Sequence, residues 1–453
     1  MYFCLRLFFT IMETREYLVK SCRTIRRYTT AMEKTYKKYN SYIFTGDKKS
    51  CSGCGACASV CAKKALRMQP DEEGFLYPVL DADNCIQCGL CDSRCPEVNE
   101  QSNIEVEQHC YIATTNRKDY YKESASIGIC TMLSDYVIKK GGIVYGAFLD
   151  ESDWTVYHVG VSDKEGLQKI RNSKYVQSNT RETFHEVKKH LINGKLILYI
   201  GTPCQIAGLK AYLHKDYENL YTIDLICHGV MSPKLLPLEA TYWENLFNSK
   251  ISNFRFRSKR VFKRVNPGMV NFDITVNGRK KHIERYAASS PSYHCFAYSG
   301  DGYNHNLRPI CYQCPFRSQM RYADITVGDP WMISDQIIKD PLLKTRNVIR
   351  SLYSINSAKG NKLIRHINHM LHQLEFSFDD SFVQSAVRYG NREIPPTRSQ
   401  IYSRIKNEEY GFMVESLFNC NLEREHKKFV RSYRLSYLKF IVKCIIGYNR
   451  WKK

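Results

Sequence analysis

Eight cysteines between Cys51 and Cys95 fall into two runs with one shared spacing, and this repeat constrains the chain more than any other feature. The first run is Cys51, Cys54, Cys57 and Cys61, and the second is Cys85, Cys88, Cys91 and Cys95. Two-residue gaps allow a tight loop to place three thiolates on three irons of one cubane. The three-residue gap begins a helical turn that carries the fourth thiolate away.

The C-x2-C-x2-C-x3-C spacing resembles that of two-cluster bacterial ferredoxins, in which the fourth cysteine of each run ligates the other cluster. On that resemblance, cluster one takes Cys51, Cys54, Cys57 and Cys95, and cluster two takes Cys85, Cys88, Cys91 and Cys61. Zinc and disulfides are the alternatives. Structural zinc usually takes two separated pairs of ligands, and disulfides are typical of small secreted domains, so we expect two [4Fe–4S] clusters.

The composition limits the class of protein. A chain of 453 residues has room for the small module and one large domain. Nineteen cysteines without a credible signal peptide indicate a cytoplasmic protein, and no run reaches the roughly eighteen apolar residues of a membrane span. The net charge of +22 is concentrated in residues 1–50, 250–264 and 424–453. Because no nucleic-acid motif accompanies these stretches, we expect them to face an acidic electron carrier or an anionic cofactor instead.

We predict four parts along the chain. Residues 1–44 form a basic lead, partly untranslated if Met12 or Met32 is the true start, and residues 45–100 form the 2[4Fe–4S] ferredoxin-type domain. Residues 108–375 alternate between strands such as Thr155–Val161 and helices such as Ala125–Lys140 and Lys359–Gln373, which is typical of an α/β sheet. Residues 376–453 form a basic helical tail. Its end, Tyr433–Lys453, is basic and apolar, and a packed helix is favoured there over contact with a membrane surface. The predicted fold class is therefore an α+β ferredoxin-like module, a larger α/β domain and a helical C-terminal tail.

A second set of four cysteines lies in the predicted α/β domain. Cys204 and Cys227 each come just after a predicted strand, where open α/β sheets bind their ligands. Cys311 and Cys314 form a C-x2-C pair followed by proline. From spacing alone, buried structural thiols, a zinc site and a third cubane all remain open for these four residues.

The strings around these cysteines carry a family resemblance. G-T-P-C-Q-I-A-G-L, D-L-I-C-H-G-V, and C-x2-C-P followed by A-D-I-T-V-G-D-P-W resemble the beta subunit of coenzyme F₄₂₀ hydrogenase/dehydrogenase, a family similar to 7-hydroxymethyl chlorophyll a reductase. The likeness covers about residues 45–375. It implies a flavin-binding α/β domain with FAD beside a third [4Fe–4S] cluster, whose ligands would be Cys204, Cys227, Cys311 and Cys314.

The same resemblance implies particular flavin-binding residues. They are Ser126 and Gly128 in S-A-S-I-G-I, Lys174 and Gln177 in S-K-Y-V-Q-S, and Thr202 before the first cysteine of the second set. The alternative for S-K-Y-V-Q-S is a solvated helix-to-strand turn. Ile127 stands where the family has a glycine, which predicts a changed local contact because a β-branched residue avoids positive φ. His228, next to Cys227, is the candidate proton donor, and the alternative is that it supports the cluster through a hydrogen bond.

These parts predict an iron–sulfur flavoprotein oxidoreductase. Clusters move single electrons, whereas a flavin also exchanges hydride. The chain would pass electrons between a ferredoxin-type carrier, or a redox partner subunit, and FAD, for reduction or oxidation of an unidentified organic substrate or a deazaflavin coenzyme. The alternative is a non-catalytic electron-transfer subunit of a larger redox complex. A third hypothesis is a nucleic-acid or membrane-surface protein whose clusters are structural.

Overall fold

The structure is a computed structural model that describes residues 39–99, 108–258, 268–318, 321–330, 333, 338–344, 348–376 and 393–450. The side chains of 436, 437 and 439–450 are not among those described. Most of the predicted basic lead, part of the 250–264 basic stretch and most side chains of Tyr433–Lys453 therefore lie outside the described residues.

The cysteine module is a β-hairpin flanked by short helices. Strands β1 (Leu66–Pro70) and β2 (Leu76–Leu80) pair antiparallel. Each cysteine run contains a glycine in the left-handed region, Gly55 at φ +87° and Gly89 at φ +71°, and each glycine caps a short helix. The repeat in the sequence is thus also a repeat in the backbone. The helical segments of the module are Tyr42–Thr45, Lys48–Ser50, Ala56–Val60 and Leu90–Ser93.

An eight-stranded mixed sheet forms the large domain, in the order β13-β3-β12-β11-β7-β6-β4-β5. Its strands are β3 (His109–Thr114), β4 (Ile143–Asp150), β5 (Thr155–Val161), β6 (Ile197–Gly201), β7 (Leu220–Leu225), β11 (Ile325–Gly328), β12 (Ser351–Ile355) and β13 (His372–Phe376). Strands β4, β6, β7 and β11 are parallel neighbours. Their carboxyl ends therefore meet at one edge of the sheet, which is where α/β folds bind ligands.

Helices cover the sheet and bury apolar residues against it. The helix Ile129–Lys139, for example, buries Met132, Leu133 and Val137 in a core shared with β4, β6 and β7. The other helices of this part are Lys118–Tyr121, Lys164–Ile170, Thr183–Ile192, Pro203–Leu213, Leu235–Phe247, Pro291–Tyr293, Pro341–Lys344 and Ala358–Arg365. Short 3₁₀ or π turns span Ala287–Ser289, His294–Tyr298, Pro309–Gln313 and Asn368–Met370.

A smaller antiparallel sheet joins the cysteine module and the C-terminal helices in one core. It contains β8 (Ile251–Arg255), β9 (Met269–Val276) and β10 (Arg279–Tyr286). The C-terminal helices are Thr397–Arg404, Tyr410–Phe418 and Leu422–Arg450. Phe75 of the module, Trp243, Phe272 of β9 and Met413 of the second C-terminal helix are all buried in this core. None of the helices in the described ranges has the length and apolarity that crossing a membrane requires.

Two predicted elements differ from the structure. The predicted helix Lys359–Gln373 is wrong in its second half: the helix ends at Arg365, and His372–Phe376 is the edge strand β13, paired with β3. The apolar spacing of this stretch suits a helix, but pairing with a distant strand decides its conformation. The predicted helix Ala125–Lys140 begins only at Ile129, because Gly128 before it lies at φ +90°.

Candidate functional site

The four cysteines predicted for cluster one line a common cavity. Cys51, Cys54, Cys57 and Cys95 surround a space of about 20 Å³ beneath the hairpin, together with Pro96. Burial and the nearby Glu97 carboxylate raise the pKa of the Cys54 thiol well above its ordinary value, and burial with the charge of Cys54 does the same for Cys57. Because thiols in this environment keep their protons until a cation binds, the binding of a cluster here would release protons.

The cysteines predicted for cluster two lie nearer the surface. Burial raises the pKa of Cys91 to about 11, and the neighbouring charges of Cys85 and Cys88 add to this effect. Cys88 is exposed. The sulfur of Cys61 accepts a hydrogen bond from the Ala65 amide at 3.3 Å, and its place in this set stays a prediction.

The second set of cysteines also gathers around one cavity. Cys204, Cys227, Cys311 and Cys314 line a space of about 40 Å³. Burial, followed by the charges of Cys311 and Cys227, raises the pKa of Cys314 to about 12. Cys204 comes from the start of the helix after β6, Cys227 from just after β7, and the C-x2-C pair from the turn Pro309–Gln313 and its end. Among the cysteines with described side chains none forms a disulfide, and no group of three or more described His, Cys, Asp or Glu residues is placed to hold a single metal ion.

Two arginines border this second set. Arg317 donates to the Cys311 carbonyl oxygen at 2.7 Å. Arg321 donates to the Leu225 carbonyl oxygen at 2.8 Å and pairs with Asp224 at 3.1 Å, both on β7. The charge of Arg321 is balanced by Asp224, and the guanidinium of Arg317 matches the net negative charge that a thiolate-ligated cubane would carry.

A larger cavity of about 300 Å³ opens at the carboxyl ends of β6, β7 and β11. It shares Cys204 and Cys227 with the second cysteine set. The structure brings to its walls every residue predicted to bind flavin or move a proton: Ser126, Gly128, Lys174, Gln177, Thr202 and His228. Residues separated by about a hundred positions in the sequence thus form one site.

Gly128 shapes one end of this cavity. A β-carbon at its position would lie 2.9 Å from the Tyr120 carbonyl oxygen, and its φ of +90° disfavours any other residue. Ile127 has no positive φ and is 1% exposed, packed in the apolar core. The missing glycine at 127 is therefore accommodated, since only 128 needs the left-handed conformation. The amides that open the helix Ile129–Lys139 suit an anionic group such as a phosphate.

Lys174 and Arg171 bring positive charge to the same cavity. Burial lowers the pKa of Lys174 to about 7, and its Nζ donates to the Arg171 carbonyl oxygen at 2.8 Å. The Arg171 guanidinium donates to the Tyr120 carbonyl oxygen at 2.6 Å. Its Nε and the Oδ1 of Asn172 are buried without a hydrogen-bond partner. Buried polar atoms without partners are rare, so these two atoms fit a site completed by a polar ligand.

Gln177 and Thr202 line the cavity, but their polar atoms are engaged within the protein. The Oε1 of Gln177 accepts from the Leu76 amide at 3.0 Å, and its Nε2 donates to the Ser52 carbonyl oxygen at 3.4 Å. Gln177 therefore ties the cysteine module to the large domain. Thr202 caps the helix Pro203–Leu213, and its Oγ1 lies 3.2 Å from the Cys204 sulfur.

Three further residues of the large cavity, Asp329, Arg257 and His158, were not predicted from the sequence. Asp329 follows β11, accepts from the hydroxyl of Ser126 and pairs with Arg257 at 2.5 Å. His158 is buried between the Ser178 hydroxyl at 2.8 Å and the Ile200 carbonyl oxygen at 3.0 Å, and burial lowers its pKa to about 4. The rule that ligands bind at carboxyl ends of strands would have identified Asp329, as it did Cys204 and Cys227.

The three cavities meet at the first cysteine run. Ser52 lines both the large cavity and the second cysteine set, and Gly53 lines both the large cavity and the cluster-one cavity. Gly53 has φ +69°, and a β-carbon there would lie 2.7 Å from the Leu76 carbonyl oxygen. The second cysteine set and the cluster-one cavity thus both border the large cavity.

Comparison with protein-family models finds two matches. Residues 194–375 match the family described as the C terminus of the coenzyme F₄₂₀ hydrogenase/dehydrogenase beta subunit. Residues 50–99 match the 4Fe-4S dicluster domain, which supports two iron–sulfur clusters in the cysteine module. The first match covers all four cysteines of the second set.

Curated relatives agree with these families. The chain is 27% identical over 266 residues to a coenzyme F₄₂₀-dependent sulfite reductase of Methanocaldococcus jannaschii, covering 54% of this chain and 39% of that protein. It is 25% identical over 205 residues to the F subunit of F₄₂₀H₂ dehydrogenase of Methanosarcina mazei, covering 41% of this chain and 57% of that protein. The chain thus spans less than two thirds of either relative.

One solved structure is also similar. It is a chain of the F₄₂₀-reducing [NiFe] hydrogenase complex from Methanosarcina barkeri, with a TM-score of 0.39 and 16% identity, covering 65% of this chain and 99% of that one.

Proposed function

We propose that this chain, which belongs to the family of coenzyme F₄₂₀ hydrogenase/dehydrogenase beta subunits and carries a ferredoxin-type 4Fe-4S module, is an iron–sulfur flavoprotein oxidoreductase. It would pass electrons between a ferredoxin-type carrier, or a redox partner subunit, and FAD. The organic compound that it reduces or oxidises would be a deazaflavin coenzyme or another substrate of similar redox chemistry.

One observation carries this proposal: the large cavity is continuous with two cysteine sets. Cys204 and Cys227 belong to its wall, and Ser52 and Gly53 connect it to the first cysteine run. A cofactor bound there would lie next to the second set and close to cluster one. Electron transfer needs this closeness, and a structural role for the clusters does not.

The residues present fit a flavin nucleotide. The helix that begins at Ile129 offers free amides to a phosphate. Lys174 and Arg171 supply positive charge, and the unpartnered Arg171 Nε supplies a donor. Asp329, held by Arg257, supplies a carboxylate acceptor. We assign Cys204, Cys227, Cys311 and Cys314 to a third [4Fe–4S] cluster beside this site.

FAD, when bound, would supply the ability to exchange a hydride with an organic substrate and single electrons with an iron–sulfur cluster. The chain would supply the proton, and His228 is the side chain we assign to it, because it lines the large cavity directly after Cys227. His158 lines the same cavity, but both of its ring nitrogens are hydrogen-bonded within the protein. Its low pKa keeps the ring neutral, and a neutral imidazole is too weak an acid to serve as the proton donor.

The second candidate is a non-catalytic electron-transfer subunit. The observation that favours it is the engagement of Gln177, whose polar atoms bind the cysteine module rather than face a cofactor. In that case the large cavity would hold no flavin, and the cluster sites would serve a separate partner.

Anaerobic purification with iron, sulfide and flavin quantification separates the two candidates. We expect about twelve irons, since three cubanes hold four each, and one FAD per chain. Cys204→Ala should lower iron to about eight, because two cubanes remain. The control Cys110→Ala changes a buried cysteine of β3 outside both sets and should keep the full complement. About eight irons and no flavin in the unaltered chain would refute the flavoenzyme.

A further inference from the structure

We infer that Arg308 is a positioning residue that raises the reduction potential of cluster one, through a direct contact with Cys51. The inference rests on the part of the proposed function that assigns Cys51 to that cluster. Nothing in the sequence singles out Arg308, which lies 257 positions from Cys51.

Arg308 is fully buried and aimed at the first cysteine run. Its Nε donates to the Cys51 carbonyl oxygen at 2.8 Å, and its NH2 lies 3.6 Å from the Cys51 sulfur. Its NH1 donates to the Oε1 of Gln177 at 3.1 Å. The guanidinium stacks over the Tyr77 ring at 3.9 Å, which fixes its plane.

The charge of Arg308 has no carboxylate to balance it. The other buried arginines of the described residues each pair with one: Arg257 with Asp329, Arg285 with Glu423, Arg321 with Asp224, and Arg398 with Glu73. Among the same residues, Arg308 binds only carbonyl oxygens, Gln177 and a cysteine sulfur. A guanidinium stays protonated at any ordinary pH, and a buried cation without a counter-charge is strongly unfavourable. The sulfur of Cys51, which would be a thiolate when it ligates the cluster, lies within reach of this charge.

A fixed cation beside a cluster stabilises its reduced form. Reduction adds one electron and therefore one negative charge to a cluster held by four thiolates. An N–H aimed at a ligand sulfur and a positive charge in a buried environment both make that addition more favourable. The backbone of Arg308 also bonds to Val230 and Cys311, at 3.0 Å and 2.9 Å. The residue that contacts cluster one thus also fixes the position of a cysteine of the second set.

The test is a redox titration of the full chain with reconstituted clusters, followed by electron paramagnetic resonance, with dithionite as reductant and no substrate. Arg308→Gln should move one cluster signal to lower potential and leave the others in place. At the wild-type midpoint potential, we expect the reduced-to-oxidised ratio of that cluster to fall about tenfold. For a one-electron couple this fall corresponds to a shift of about 59 mV. Gln177→Glu should shift the same signal in the same direction, because its carboxylate would neutralise Arg308.

Arg398→Gln is the matched control. It removes a second buried arginine that holds the module. Unlike Arg308, Arg398 is paired with Glu73 and does not contact Cys51. It should leave every midpoint unchanged. An equal shift in this control, or unchanged midpoints in Arg308→Gln with its clusters intact, overturns the inference.

The remaining outcomes are also decisive. If Arg308→Gln loses cluster one, Gln177→Glu alone decides: a shift to lower potential supports the inference, and no shift overturns it. Loss of cluster one in both variants means that Arg308 only holds the module in place, which overturns it too. The titration needs no flavin, so a chain that contains two clusters and no FAD would end the proposed function while Arg308 is still tested.

Discussion

The guanidinium of Arg398 donates to both carboxylate oxygens of Glu73, at 2.8 Å and 2.5 Å, across 325 positions of sequence. Glu73 lies in the hairpin turn of the cysteine module, and Arg398 lies in the first C-terminal helix. Both side chains are largely buried. This ion pair closes the C-terminal helices over the module, beside the core that contains Phe75 and Tyr402.

Glu73→Gln should reduce the free energy of unfolding by about 3 kcal/mol, because it leaves the buried charge of Arg398 without its partner. Denaturant unfolding followed by tryptophan fluorescence, to which Trp243 of the same core contributes, measures this loss. The control is Glu408→Gln, which breaks a surface pair with Arg404. That change should have little effect because exposed pairs contribute little, and equal losses in the two variants would contradict the prediction.

Gly128→Ala should abolish flavin retention and destabilise the fold. The new β-carbon would lie 2.9 Å from the Tyr120 carbonyl oxygen and force the backbone at the helix start to move. Gly141→Ala is the control: its φ is also positive, at +74°, but no atom lies within 4 Å of the added carbon. We expect Gly141→Ala to cost about 1 kcal/mol from backbone strain alone and to keep its flavin. Flavin released by denaturation and measured by absorbance distinguishes the two, and equal flavin content would show that Gly128 has no part in the site.

FAD should bind more weakly above pH 7 than below it. The pKa of Lys174 is lowered to about 7 by burial, so the side chain is charged below that pH and neutral above it. Attraction for an anionic cofactor is therefore present at pH 6 and lost by pH 8.5. We expect about a tenfold rise in Kd across this range, the size of one charged hydrogen bond, measured by quenching of flavin fluorescence.

The pH dependence should disappear in Lys174→Met, which should bind weakly at both pH values. Lys169→Met provides the comparison, since Lys169 is exposed and pairs with Glu165 on a nearby helix. A variant of Lys174 that keeps the wild-type pH dependence would assign that dependence to another group.

His228→Gln should lower kcat about a hundredfold, the usual contribution of a general acid, without changing iron or flavin content. The assay is oxidation of reduced coenzyme F₄₂₀ with a viologen dye as acceptor. If His228 instead supports the cluster through Cys227, turnover will change little and the midpoint potential of the third cluster will shift.

Local sequence signals predict the elements whose conformation depends on their own residues. The strand Thr155–Val161 is confirmed at both ends, because alternating apolar residues between turn residues define it. Strand β10, Arg279–Tyr286, was not predicted, because its residues are mostly charged and it lies at the edge of a sheet. Its conformation comes from pairing with β9 through a tight turn at Asn277 and Gly278, both at positive φ.

The candidate site likewise contains residues that local sequence signals predict and residues whose roles depend on long-range contacts. Cys204 and Cys227 each follow a predicted strand, which is enough to predict that they lie at the ligand-binding edge of the sheet, whereas Gly128 is predicted only by the family resemblance. The roles of Gln177 and Arg308 depend on contacts between the module and the large domain, more than a hundred positions away. No local pattern in the sequence encodes such a contact.

The close fit at Gly53 has a consequence for protein engineering. Its missing side chain allows the hairpin, Gln177 and Arg308 to approach one another. A ferredoxin from another source, grafted in place of residues 50–99, would need a glycine at this position and a surface complementary to Gln177 and Arg308 of the large domain. Replacement of the module in this chain therefore has to include the facing residues of the large domain.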